Sequence, residues 1–171
     1  GPRLLGVDPA RVGDCLTAIV ERQGRVVADG ETFAKRDTME VAGLVKKRLD
    51  NGIDFAFVDV VGIGAGVVDR LREMGYSARI IPVNAGESAL DDGKYFNLRA
   101  EMYGNLRDWL QEQPAVLPND EALQADLCVV QYKYTSNSQY KLESKDDLKK
   151  RLGRSPDCAD AIALTFARPV A

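Results

Sequence analysis

Leu4-Leu5-Gly6-Val7-Asp8-Pro9-Ala10-Arg11-Val12-Gly13-Asp14 is the stretch that decides the fold. A short apolar run ends in a carboxylate, and a Pro/Gly turn follows it. Cys15-Leu16-Thr17-Ala18-Ile19-Val20 then reads as a second strand. The two make a hairpin whose buried first strand delivers Asp8 at its end. A strand of this kind has no structural need of an aspartate there. Either Asp8 caps the turn through its side chain, or it faces a site, and this stretch alone leaves both readings open. What tips the balance is recurrence of the pattern further along.

Outward from that hairpin, residues 3–8, 15–22 and 25–34 read as an antiparallel meander, with Gln23-Gly24 as the second turn. Thr38 fits the N-cap of a helix whose stripe is Val41, Leu44, Val45 and Leu49, and Asn51-Gly52 ends it. Phe55-Ala56-Phe57-Val58-Asp59-Val60 is an unbroken apolar strand of the doubly buried kind, again ending in an aspartate. Gly62, Gly64 and Gly66 lead into a helix of Val67, Val68, Leu71 and Met74, and Ala78–Val83 is a further strand. The middle of the chain is therefore strand, helix, strand, helix, strand, with parallel crossovers appended to the meander.

Residues 84–94 read as a polar loop, and a helix spans Asn97–Gln111 with Leu98, Met102, Leu106, Trp109 and Leu110 on one side. A helix capped by Asn119 or Asp120 runs to Leu127. Val129–Tyr134 and Gln139–Leu142 form a hairpin about Ser136-Asn137-Ser138, and Asp146–Leu152 is a charged helical segment. In the last element Ser155 fits the N-cap, Pro156 the first helical position and Asp157 the first turn, with the helix continuing to Ala167. Dipole complementarity accounts for Asp157. It does not account for Asp160, which shares a face with Asp157 in an otherwise apolar helix. Two buried acids on one face need a partner, and a cation is the simplest one.

At 171 residues and 45% hydrophobic the chain is long enough for one domain with a sizeable core. No apolar run approaches the roughly 18 residues of a membrane span, and no charged-then-apolar leader signals export. Gly1-Pro2 looks like a protease-cleavage scar. Residues 1–2 are thus expected to be a scar, and 3–171 one domain cut from a longer protein. Cys15, Cys128 and Cys158 contain no CxxC pair, which fits reduced thiols in the cytoplasm.

The chain has no histidine. That removes Ser-His-Asp and Cys-His catalysis, HExxH metalloproteases and histidine-dependent nucleases, and argues against zinc. Carboxylates remain, and hard oxygen ligands suit magnesium or manganese. The formal net charge is −3, yet between Lys133 and Arg154 seven bases stand against three acids. A basic C-terminal face beside acidic clusters suits a metal-dependent DNA enzyme, or is a solvated helix face.

Two nucleotide-binding readings fail on spacing. The glycines after Asp59 run GxGxG rather than GxGxxG, and Pro82 stands where a ribose-binding acid belongs. They suit close approach of a helix or a DNA backbone instead. There is no GxxxxGK[ST] loop either. If the strands ending in Asp8 and Asp59 are neighbours, their carboxylates lie about 5–10 Å apart. With Asp157 and Asp160 they form a cluster that cannot ionise fully in a dry pocket and that divalent ions would stabilise.

GVDPARVGD, FVDVVGIGAGVVDRL, KYFNLRAEMYGNLRDWL and ESKDDLKKRLGRSPDCADAIAL, in this order, resemble the C-terminal nuclease domain of tailed-phage large terminase subunits. The match spans nearly the whole chain, and SPDCADA with its Lys-rich lead-in is its most specific part. The resemblance implies an α/β ribonuclease H-like fold related to Holliday-junction resolvases. In it a mixed sheet has antiparallel strands 1–3 and parallel strands 4–5, flanked by helices, with a β-hairpin near residues 129–143. It places the family's three catalytic, metal-binding acids on Asp8, Asp59 and Asp157, with Asp160 and Asp14 in support. Where relatives often carry a second acid or small polar residue after Asp14, this chain has Cys15.

The activity so implied is two-metal (Mg2+ or Mn2+) cleavage of double-stranded DNA during viral genome packaging, in the host-cell cytoplasm. Lys133, Lys141, Lys145, Lys149, Arg151 and Arg154 are the expected phosphate contacts. The parent protein would add a packaging ATPase domain and meet the portal and the small terminase subunit. Three alternatives stay open: a structure-selective junction resolvase, a non-catalytic docking module of the packaging motor, and a sugar-kinase-like phosphotransferase. For the last, Arg11-Val12-Gly13-Asp14 is a poor substitute for an ATP-binding loop.

Overall fold

The computed structural model describes residues 1–10 and 16–170. Asp14, expected to support the metal site, lies outside them. β1 (Arg3–Asp8) pairs antiparallel with β2 (Leu16–Gln23), setting Gly6 opposite Val20 and Asp8 opposite Ala18. The expected third strand is two short ones, β3 (Val26–Val27) and β4 (Glu31–Ala34), both paired to β2. The run breaks at Asp29-Gly30, after Ala28 N donates to Glu21 O at 2.9 Å, and on the outer edge Val27 N donates to Val116 O at 2.9 Å.

α1 (Thr38–Asp50) leads to β5 (Phe55–Asp59), then α2 (Gly64–Glu73) to β6 (Ile80–Val83). β5 and β6 add in parallel to the other edge of β1, giving the order β3-β2-β1-β5-β6 with β4 beside β2. This is the mixed sheet expected from the sequence. α1 starts one residue earlier than Thr38 implied. Asp37 is its N-cap, accepting from Glu40 N while Glu40 reaches back, a reciprocal capping box.

α3 (Leu98–Glu112), capped by Asn97, and α4 (Glu121–Val129), capped by Asp120, follow. α4 runs on through Val129, so the hairpin is shorter than expected: β7 (Tyr132–Tyr134) and β8 (Tyr140–Leu142). α5 (Lys145–Leu152) and α6 (Asp157–Leu164) complete the chain. α6 differs at both ends from the sequence reading. Pro156 rather than Ser155 is its N-cap, without a side-chain cap bond. It stops before Thr165, whose hydroxyl donates back to Ile162 O at 2.7 Å, so residues 165–167 form turns.

The sheet carries one apolar layer on each face. Leu5, Val7 and Val58 pack under α1 and α2 with Val41, Val45, Leu49, Val67 and Leu71. On the opposite face Leu4 and Phe57 meet Leu98, Met102 and Leu106 of α3 and Ile162 and Leu164 of α6. Burying side chains of this size contributes roughly 1.5–3 kcal/mol each before entropy is counted. Strand residues alternate faces, so Asp8, two beyond Gly6, and Asp59, two beyond Phe57, both point to the α3/α6 side.

Candidate active site

The parallel register sets Val7 beside Val58, so the next residues, Asp8 and Asp59, end adjacent strands side by side. Strands in such a pair are about 4.8 Å apart. α6 is brought against β1 by a missing side chain: a Cβ on Gly6 would collide with the carbonyl of Ala161. Close backbone approach is what glycine permits. The first turn of α6 thereby presents Asp157 and Asp160 to the strand ends. The glycines after Asp59 act likewise. A Cβ on Gly64 would strike the Asp59 carbonyl, so α2 starts directly against the end of β5.

In the turn after Asp8 the N–H of Ala10 donates to the Thr17 hydroxyl at 3.0 Å. Asp59 is divided. Its Oδ1 accepts from Val61 N at 2.9 Å, which is the capping role, while Oδ2 stands 3.8 Å from the Lys145 ammonium. Asp8, Asp157, Asp160 and Lys145 line a cleft of about 300 Å3 with Pro9, Val61 and Ser155. Asp8, Asp59, Asp160 and Lys145 also line its narrow inner end, beneath Arg99 and Tyr103.

Electrostatics follow from this crowding. Burial, then repulsion from Asp160, Asp59 and Asp157, pushes the Asp8 carboxyl well above the ordinary range, against the pull of Lys145. Burial also raises Asp160, although Lys145, the Tyr103 hydroxyl and Arg99 oppose it. Asp157 is pushed up to about 6 by burial and by Asp160 and Asp126. For Lys145, burial works against the ammonium, but Asp160, Asp8 and Asp59 prevail and its pKa is raised. The cleft therefore holds more potential negative charge than one lysine neutralises.

That surplus, carried by hard oxygen donors, fits a divalent cation. No three of the described acids or cysteines, however, stand in ready ligating positions. Asp8, Asp157 and Asp160 share the outer cleft, and Asp8, Asp59 and Asp160 its inner end.

The expected phosphate contacts fall into three groups. Lys145 reaches inward to Asp59. Arg151 is tied to Glu143 and to the Val129 carbonyl and so braces the base of the hairpin, while Arg154 holds the buried Asp126 through two nitrogens and ties α4 to the segment before α6. Lys133 and Lys141 face each other across the hairpin, and Lys149 lines the mouth of the cleft.

Sequence reading missed the buried Asp126, Arg99 and Glu101 and the half-buried Tyr103. Tyr103 donates its hydroxyl to Asp160, and burial beside that carboxylate raises the phenol's pKa well above 10. Arg99 gives Nη1 to the Glu143 carbonyl at 2.6 Å, with Nε and Nη2 buried and unpaired. Glu101 accepts from Leu90 N at 2.8 Å and Asp91 N at 2.7 Å. For Arg99, Glu101 and Tyr103 the available signal was their interleaving with the apolar stripe of α3.

No protein-family model matches the chain, and neither does any curated protein sequence. Solved structures do. The nuclease domain of the large terminase subunit gp2 of bacterial virus Sf6 is similar at TM-score 0.81 and 23% identity, over 100% of this chain and 90% of that one. The large terminase nuclease from thermophilic phage G20c, with bound magnesium, is similar at TM-score 0.70 and 14% identity, over 98% of this chain and 81% of that one. The Thermus phage P74-26 large terminase nuclease domain is similar at TM-score 0.64 and 13% identity. A mutant form of the Sf6 domain carries manganese and beta-thujaplicinol, at TM-score 0.80 and 22% identity. The chain thus shares the ribonuclease H-like fold of these domains over nearly its whole length.

Proposed function

We propose that this chain is a nuclease domain of the large-terminase type, which hydrolyses phosphodiester bonds of double-stranded DNA with two Mg2+ or Mn2+ ions. One observation carries the reading. Acids from the first strand, the middle strand and the last helix meet in one cleft whose charge a single lysine does not balance. Asp8 would hold both ions, Asp59 one and Asp157 the other, with Asp160 in support and Asp14 expected beside them. Divalent ions in such a set supply a nucleophilic water near neutral pH and charge stabilisation at the leaving oxygen.

The chain's own residues do the rest. Asp59 Oδ1 is fixed by Val61 N–H, which aims the other oxygen at the cleft. Tyr103 fixes Asp160 in the same way. Lys145, its ammonium 3.8 Å from Asp59, offsets part of the acids' charge. Lys133, Lys141 and Lys149 position the duplex through its phosphates, while Arg151 and Arg154 hold the scaffold beneath. In the parent protein the cut would begin and end genome packaging in the host cytoplasm. The packaging ATPase domain, portal and small subunit would be its partners. Among the described residues no helix is long and apolar enough to cross a membrane.

The test is plasmid cleavage with Mn2+. The wild type should cut, while Asp8→Ala, Asp59→Asn or excess chelator should abolish cutting; full activity in any of the three sinks the mechanism. A branched substrate cut far faster than linear duplex would instead favour a junction resolvase. A docking module draws on one observation, that the acids are not in ligating positions as they stand. Metal that binds only the native state raises stability by RT ln(1 + [L]/Kd), so a thermal shift without cleavage would support that second reading.

A further inference from the structure

The hairpin β7–β8 has two chemically different faces. Lys133 and Lys141 oppose each other on one, and Tyr132, Tyr134, Tyr140 and Leu142 occupy the other. Tyr140 stacks in a tilted arrangement against Tyr134 at 4.7 Å and Tyr132 at 5.1 Å between ring centroids. The Arg107 guanidinium from α3 lies 4.9 Å from the centroid of Tyr140 and 5.6 Å from that of Tyr132. Beneath them is a cavity of about 130 Å3 floored by Ala100, Gly104, Leu127, Val130 and Leu142 and closed on one side by the ring of Tyr103.

Anchoring the hairpin does not use all of this. Tyr140 is held by its backbone, accepting from Phe96 N and donating to Lys94 O at 2.8 Å each, and it packs with Tyr95 against Ala89 and Ala100. Tyr132 and Tyr134 stand outside that cluster, 50% and 59% exposed. Exposed Tyr132 with the Arg107 guanidinium over its face, and Lys94 close by over Tyr95, present a π-face and positive charge together. Single strands of nucleic acid are held by that combination, bases stacked on rings and phosphates on cations. Tyr103 connects it to the acid cleft, since the same side chain walls this cavity and binds Asp160.

We propose that the tyrosine-walled cavity receives an unpaired base of the DNA strand lying beside the cleft, stacked on Tyr132 under Arg107. The placement of that strand rests on the nuclease reading above. Extruding a base costs a few kcal/mol and least from frayed or single-stranded DNA, so the cavity favours single strands and ends over intact duplex.

The test is fluorescence anisotropy of a labelled short oligothymidylate, in excess chelator so that nothing is cut, with wild type, Tyr132→Ala and Tyr132→Phe. Circular dichroism verifies that each variant is folded. Tyr132→Ala should weaken binding on the order of tenfold, the loss expected for one stacked base, while Tyr132→Phe should bind like wild type. Absence of wild-type binding, or equal binding by Tyr132→Ala, overturns the proposal. So does a Phe variant as weak as the Ala variant. Tyrosine-dependent binding in a protein that cuts no plasmid with Mn2+ overturns the nuclease reading alone. Cleavage without tyrosine-dependent binding overturns the cavity reading alone.

Discussion

Gly6→Ala should damage this domain more than any other single methyl group added to the sheet. The new Cβ would sit on the Ala161 carbonyl, and both groups are backbone-fixed, β1 by its two neighbours and α6 by its own hydrogen-bond ladder. Neither can rotate away, so α6 must lift off β1. Overpacking in a tight core costs roughly 1–3 kcal/mol, and a clash of backbone on backbone belongs at about 3. For a domain of this size 1 kcal/mol moves the melting temperature by about 2–4 °C, so the expected loss is about 6–12 °C. The same displacement carries Asp157 and Asp160 away from Asp8. Misplacement by an ångström in such a site costs on the order of a hundredfold in rate.

Gly43→Ala is the control. Gly43 lies inside α1, and a Cβ there meets nothing within 4 Å. Replacing glycine by alanine at such a site gains about 0.5–1 kcal/mol. Thermal melts with plasmid cleavage on the same preparations measure both terms. A Gly6→Ala protein that melts and cuts like wild type would refute the claim that this contact positions α6.

Further expectations concern charge. The folded Asp157 carboxyl keeps its proton to about pH 6, whereas the unfolded one releases it near 3.9. Between these values the native state holds more protons, so stability falls as pH rises; Asp8 and Asp160 act in the same direction. In chelator the domain should therefore melt higher at pH 5 than at pH 7, with Mg2+ removing the difference; a melting point that rises over that range refutes it. Lys145→Met removes a cation shared by Asp160, Asp8 and Asp59. It should lower the metal-free melting temperature and enlarge the Mn2+-induced rise, and an unchanged or smaller rise counts against the site's charge imbalance. Glu101→Ala leaves the N–H groups of Leu90 and Asp91 without their acceptor. It should cost about 2 kcal/mol and speed hydrogen exchange at those two amides; exchange like wild type would show that another group takes them.

The parts of the site that are periodic or terminal in sequence were legible. Apolar runs ending in Asp8 and Asp59 fixed which strands are buried and what they deliver, and strand alternation fixed the face. The spacing of Asp157 and Asp160 in an apolar helix announced a shared face. What stayed hidden depends on partners distant in sequence. Asp126 reads as an ordinary helix acid until Arg154 lies against it, 28 residues on. Lys145 reads as a phosphate contact, and only the closed fold sets its ammonium 3.8 Å from Asp59. Arg99, Glu101 and Tyr103 were masked by Leu98, Met102 and Leu106, because an apolar stripe accounts for the helix without them. Cap positions shifted by a residue at Asp37, whose carboxylate takes the Glu40 N–H, and at Pro156, which makes no side-chain cap bond.

The placement of α6 also sets an order of events during synthesis. It covers the face of β1 and β2, the first of the described strands in chain order, yet it is made of residues 157–164. Until those residues emerge, Leu4, Val20 and Phe57 have only the α3 side of their cover, and Asp8 and Asp59 stand without the acids that complete their cluster. The cleft therefore comes into being in one late step, with core closure and site assembly sharing the same helix. A nascent or truncated chain lacks both together, so the domain has no half-built form in which the site precedes the fold.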